Sequence, residues 1–155
     1  MVGNPVHYNE KWTLTNSGRK ELDHAQYLRN KDKSEANIWV FLSGTTTGRI
    51  GWARGYVCTD GVNINHVKKH DLLQASYIVA HETGHNLGMD HDFTYQGNDQ
   101  KTRFFNGESC IDKGIESYGR PPLKWSKCSR NDFLAYFNEF GKSKWCLQCK
   151  SNVIT

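Results

Sequence analysis

Polar residues dominate positions 6 to 36, and only Leu22, Ala25 and Leu28 recur there at helical spacing, so a short helix is expected. The pattern then tightens. "NIWVFLSG" (37–44) is an apolar run closed by Ser-Gly, as in a buried strand. "TTTGRIGWARGYVC" (45–58) reads as a turn leading to a strand near 50–57, and "GVNINHV" (61–67) alternates as another short strand. From residue 71 the period changes to 3.6, with Leu72, Leu73, Ala75, Ile78, Val79, Ala80 and Leu87 on helical spacing. Asp71 is placed to cap that helix and Gly88 to end it. Residues 92–127, with glycine, asparagine, lysine and "RPP", read as long irregular loops. "SRNDFLAYFNEF" (129–140) predicts a last helix. Ser129 and Asp132 have the spacing of a capping box, and Phe133, Leu134, Phe137 and Phe140 supply an apolar face. No internal repeat interrupts this order, which predicts one α/β layered domain over 1–155.

Composition narrows the class. A chain of 155 residues can bury a core without staples. With 37% apolar and 23% charged residues and no low-complexity tract, it should fold rather than stay disordered. The net charge of +4 is mild, and the densest basic cluster, "KKH" (68–70), is too short to argue for nucleic acid. No run of 18 apolar residues could span a membrane. "MVGNPVHYNEKW" has no hydrophobic signal core, so any secretory segment has been removed or was left out. Cysteines stand at 58, 110, 128, 146 and 149, with one C-x-x-C and no second pair to complete a zinc ribbon. Their scatter favours disulfides in an oxidising compartment, with one thiol left over.

The densest chemistry is "HETGHNLGMDHD" (81–92). His81 and His85 are four apart, so on a helix they project from one face and can reach one metal ion. Glu82 lies about 100° further round the helix, where it can hold a water rather than bind the metal. A carboxylate so placed can take that water's proton and pass it to a leaving amine. A third ligand further along the helix would point away. Gly88 permits a sharp turn, and "GMDH" brings His91 back. Three neutral nitrogen donors and an open fourth position describe one catalytic zinc ion. The alternative is a helix whose histidines are simply solvated. H-E-x-x-H alone arises by chance in about a few chains per thousand, and the added glycine and histidine lower that several hundredfold. A purely structural zinc lacks an obvious fourth ligand, since no cysteine is close in sequence.

H-E-x-x-H-x-x-G-x-x-H is the metzincin signature. With Asp92 directly after the third histidine, "HNLGMDHD" resembles the adamalysin (reprolysin) branch, which includes the snake-venom and ADAM/ADAMTS metalloproteinases. "RIGWARGYVC" resembles that branch's cleft-lining strand and its following cysteine. "WSKCSRNDFLAYF" resembles the opening of its C-terminal helix, and "KWCLQC" the cysteine that closes the domain. The likeness runs from about residue 37 to 149 and leaves 1–36 poorly matched.

The resemblance implies a metzincin-like single domain with a twisted mixed sheet, a central zinc-binding helix and a C-terminal helix. It implies that His81, His85 and His91 bind one Zn2+, with Glu82 as general base and then general acid. Ile50, Gly51, Trp52 and Ala53 would offer backbone groups to an extended polypeptide substrate. The implied reaction is peptide-bond hydrolysis by a secreted, monomeric endopeptidase, with a propeptide or attached domains outside this chain. Acid would release the metal as the histidines protonate.

Three departures stand out. The family's turn beneath the zinc carries a methionine after its Cys-Ile pair, and here Asp112 follows Cys110 and Ile111. A carboxylate there must be exposed or paired, and residues 113–119, the expected pocket wall, align with nothing. Domains of this branch begin with a strand and a helix, and neither is recognisable before His7. A trimmed chain, a divergent small member and a sheet lacking a strand all remain open. Cysteine pairing carries over only in part. The resemblance implies Cys58–Cys146, worth about 4 kcal/mol on the loop-entropy model, and next Cys110–Cys128. That leaves Cys149, which could exchange with Cys146.

His66 and His70 form a second i, i+4 pair, but two lysines lie between them and no third ligand is near. His7 and His24 read as surface residues, and Trp39, Trp52, Trp125 and Trp145 as core or cleft packing. Two functions remain: an extracellular zinc endopeptidase, or a zinc-loaded metzincin domain with little or no turnover that serves as a recognition module. Intact Glu82 favours the first. Asp112 and the short front favour the second.

Overall fold

The computed structural model describes residues 18–32, 36–44, 50–67, 71–111, 114–117 and 124–140. Helix α1 (Gly18–Lys31) precedes strands β1 (Trp39–Ser43), β2 (Gly51–Arg54) and β3 (Val62–His66), and helix α2 spans Leu72–Asn86. Four short strands follow, β4 (Phe93–Gln96), β5 (Asp99–Thr102), β6 (Phe104–Phe105) and β7 (Glu108–Ser109), and then helix α3 (Lys127–Glu139). The fold is mixed α/β, as the hydrophobic pattern predicts.

The main sheet has the order β1-β3-β2, with β3 parallel to β1 and antiparallel to β2. Alternation along each strand decides what each face meets. Val62 and Ile64 of β3 pack with Leu22 and Ala25 of α1, flanked by Trp39, Phe41 and Trp52. The weak helical spacing at 22, 25 and 28 is therefore a real buried stripe, and a helix does precede the first described strand. On the other face Asn63 and Asn65 point at α2 and are fully buried.

Those amides form a ladder. Asn65 Nδ2 donates to Asn63 Oδ1 at 2.7 Å, and Asn63 Nδ2 donates to Asn86 Oδ1 at 3.0 Å. Asn86 Nδ2 in turn reaches the carbonyls of Arg54 and Gly55, each at 2.9 Å. One side chain near the end of α2 thus satisfies backbone oxygens where β2 ends, within a buried and largely paired polar set.

Helix α2 begins as predicted, with the Asp71 carboxylate accepting from Gln74 N at 2.9 Å. It ends at Leu87, followed by Gly88 at φ 82°. The buried stripe differs from the predicted one. Leu72 and Leu73 are exposed, while Tyr77 and Ile78 pack with Ile115 against Trp125.

Further expectations are corrected or fall outside the described residues. The predicted loop 92–127 contains two hairpins, β4–β5 and β6–β7. The second closes on Asn106-Gly107, both at positive φ, a primed-turn signal hidden in a polar stretch. Helix α3 is capped by Ser126, which accepts from Ser129 N at 2.9 Å, so the cap lies three residues before the Ser129 box. Its buried side is Cys128, Ser129 and Tyr136, while Leu134 and Phe140 are exposed. Cys110 and Cys128 are disulfide-bonded, and so is Cys58. Cys146, Cys149, His7, His70, Asp112 and Trp145 lie outside the described residues. Among the described residues no helix is long and apolar enough to cross a membrane.

The amide ladder yields a direct expectation. Asn86→Ala strands at least two buried carbonyls and should lower unfolding free energy by about 2–3 kcal/mol in denaturant titration. An unchanged midpoint would show that water replaces the amide at no cost.

Candidate metal centre

Helix α2 places His81 and His85 one turn apart, and their rings lie 4.8 Å between centroids. The chain then reverses. Gly88 N–H donates to His85 O and Met89 N–H to Gly84 O, both at 3.0 Å, which closes the helix and turns His91 back. A Cβ on Gly88 would fall 2.7 Å from Tyr136 Cβ, so α3 also requires glycine at this turn.

The hydrogen bonds fix which nitrogens face the centre. His81 Nδ1 donates to Ile115 O at 2.9 Å, and His85 Nδ1 donates to Met89 O at 2.8 Å. Carbonyls only accept, so the proton sits on Nδ1 and both Nε2 atoms present lone pairs. His91 Nε2 lies 3.2 Å from His85 Nε2 and 3.3 Å from His81 Nε2. A single proton on His91 cannot serve both contacts. Tetrahedral zinc with Zn–N of about 2.0–2.1 Å needs donor nitrogens about 3.3 Å apart, so the three imidazoles fit that ion. Burial holds His81 and His91 down at about 4, with help from neighbouring imidazole charge, so both are neutral at neutral pH.

Glu82 is buried between α2 and β2, where burial pushes its carboxyl up to about 8. A Cβ on Gly51 would fall 2.4 Å from Glu82 Oε1. Gly51 therefore leaves the space this carboxylate fills, and the sheet edge made by β2 runs directly past it. Ile50 is exposed at that edge, while Gly51, Trp52 and Ala53 are half-buried.

His91 is positioned from three sides. Phe93 stacks on its ring at 4.8 Å and 6°. Arg103 donates to His91 O at 3.0 Å and clasps Asp132 through two contacts of 2.7 and 2.8 Å. Asp92, fully buried, accepts from Ser117 Oγ at 2.9 Å and from Ser126 Oγ, while its N–H donates to Glu116 O at 3.0 Å. Burial raises the Asp92 carboxyl despite those hydroxyls.

Among the described residues the acidic residue beneath the histidines is Glu116; Asp112 lies outside them. The turn 114–117 lies under the site, where Ile115 O receives His81. Glu116 Oε2 lies 3.2 Å from His81 Nδ1 and 3.7 Å from His85 Nε2. Burial, and then the Glu82 carboxylate nearby, push Glu116 up to about 10. Two buried carboxyls and three lone-pair nitrogens line one pocket, a donor set that a divalent cation would suit. Among the described residues, His81, His85, His91 and Glu116 form one group able to hold an ion. Sequence reasoning missed Glu116, whose only signal was its place in "GIESYG", without a methionine. His66 belongs elsewhere: it meets Glu21 at 3.2 Å beneath α1.

Residues 4–145 match the reprolysin-type model of metallo-peptidase family M12, and the chain belongs to that family. It is 29% identical over 124 residues to snake venom metalloproteinase H5 of Deinagkistrodon acutus. That alignment covers 79% of this chain but spans only 28% of the relative's length. The match to the family model reaches back to residue 4, well ahead of the segment whose motifs carry the likeness.

Because protons compete for His81 and His91 only near pH 4, bound zinc should survive dialysis at about pH 5.5 and leave as the pH falls towards 4. Metal analysis across that range checks this. A release midpoint near the ordinary imidazole value of about 6.5 would show that the rings are solvated.

Proposed function

We propose that this M12-family domain is a secreted zinc-dependent endopeptidase acting on polypeptide substrates. The observation that carries the reading is the convergence of three imidazole Nε2 atoms at 3.2 and 3.3 Å beside a buried Glu82. A zinc ion held there supplies Lewis acidity and activates water. The chain's own residues do the rest. His81, His85 and His91 present neutral donors whose orientation two backbone carbonyls hold at His81 and His85. Glu82 takes a proton from the attacking water and delivers it to the departing amide nitrogen. The β2 edge from Ile50 to Ala53 receives the substrate as an added strand, which fixes an extended backbone across the cleft. Disulfide-bonded Cys58, Cys110 and Cys128 support an oxidising, extracellular setting. We assign Cys146 as the partner of Cys58. The relative's greater length supports a propeptide or further domains around a monomeric catalytic unit.

The acid beneath the histidines favours a second reading, a metal-loaded domain with little turnover that recognises polypeptides. One experiment separates the two. Wild type and Glu82→Ala, each loaded with zinc and assayed for metal content, are incubated with a mixed peptide library. The expected outcome is cleavage by wild type and at least a roughly hundredfold slower rate for a variant that keeps its zinc. If both hold one zinc and neither cuts, the recognition module is correct. Gly51→Ala, which forces Glu82 or β2 to move, should slow cleavage by about tenfold or more with zinc content unchanged. An undiminished rate would mean that the carboxylate acts from another position.

A further inference from the structure

We propose that Glu116 is a positioning residue of the metal centre, a buried carboxylate that braces the imidazoles of His81 and His85 from beneath and raises their affinity for a divalent cation. The inference rests on the reading of His81, His85 and His91 as metal ligands.

Its first support is an unmet need. Glu116 is fully buried, and neither carboxylate oxygen accepts a hydrogen bond. Among the described residues its charge partners are His81 and His85 alone. An unpaired carboxylate in such a place is costly unless positive charge is close. No described lysine or arginine supplies it, and a cation held by the histidines would.

Its second support is that the fold makes room for the group and holds it there. Gly84 stands on α2 between the two histidines, and a Cβ on it would fall 2.1 Å from Glu116 Oε1 and 2.9 Å from Trp125. A mid-helix glycine costs about 1 kcal/mol against alanine, and here its missing side chain is the space the carboxylate fills. The turn that carries Glu116 is pinned on both sides. Ile115 O accepts from His81 Nδ1 and from the Tyr77 hydroxyl, and Glu116 O accepts from Asp92 N. Ser117 Oγ donates to Asp92 as well.

The direction of the carboxylate decides its role. Oε2 is nearest His81 Nδ1 at 3.2 Å, the nitrogen that faces away from the converging Nε2 atoms, and stands further off, at 3.7 Å, from His85 Nε2. Glu116 therefore acts through the imidazoles, as a carboxylate behind a ligand histidine does by fixing its orientation and raising its basicity. It leaves the fourth position to water and substrate.

The test compares the full chain with Glu116→Met and Glu116→Gln, each measured for zinc affinity by chelator competition and for melting temperature without metal. Glu116→Gln keeps the shape without the charge. Both variants should bind zinc about 10- to 100-fold more weakly, while metal-free Glu116→Met melts higher than wild type. Cobalt(II) loaded in place of zinc should give the same band positions in all three proteins, because no ligand is lost. Unchanged zinc affinity in both variants overturns the proposal. So does a metal-free Glu116→Met that melts lower, which would make the carboxylate a packing contact. Cobalt bands that shift in both variants would make Glu116 a direct ligand and overturn the role stated here. A wild type that binds no zinc removes the ligand reading itself, and this inference with it.

Discussion

The close approach of α2 to the main sheet is the constraint on which the site depends. A helix bearing large side chains towards β2 and β3 would stand off, and its histidines would open into solvent. Here the facing positions are Gly51, Asn63 and Asn65, and the helix answers with Glu82 and Asn86. The apolar cluster built on the sheet lies on the opposite face, under α1. The fold thus places its main hydrophobic cluster on one side of the sheet and a hydrogen-bonded polar layer on the other. The polar layer fixes register and depth more sharply than apolar contact would, because each amide has a small set of allowed partners.

The return of the chain after Gly88 supplies the other half. His91 sits beyond the helix, so apart from its contacts with the His81 and His85 rings its position must be fixed from elsewhere. That task falls to residues far apart in sequence: Phe93 against the ring, Arg103 on the backbone oxygen, and Asp132 of α3 holding Arg103. Asp92 ties the same loop to the turn under the site and to the α3 cap through three serines. Cys110–Cys128 closes this region covalently. A disturbance in α3 therefore reaches the three-histidine cluster through Asp132 and Asp92 without altering an imidazole.

Much of this was legible in the sequence because it rests on local periodicity. The α2 boundaries, the Gly88 turn and the three histidines follow from 3.6-residue spacing and one glycine. The three strands of the main sheet follow from short apolar or alternating runs. What failed was non-local. The hairpins at 93–109 were masked by polar composition, although Asn106-Gly107 carried the turn signal. Ser126 rather than Ser129 caps α3, and its hydroxyl also meets Asp92, a partner 34 residues away. Glu116 was invisible for the same reason. Nothing near it in sequence shows that Gly84, 32 positions earlier, leaves a space of its shape.

Gly84 and Glu116 occupy one shared volume, and that has a bearing on descent. Residue 84 can gain a side chain only if residue 116 shortens or turns away, and a short residue at 116 leaves a void that glycine at 84 cannot fill. The two positions are expected to drift as a pair, so a lineage that alters one first passes through an intermediate that is either crowded or hollow.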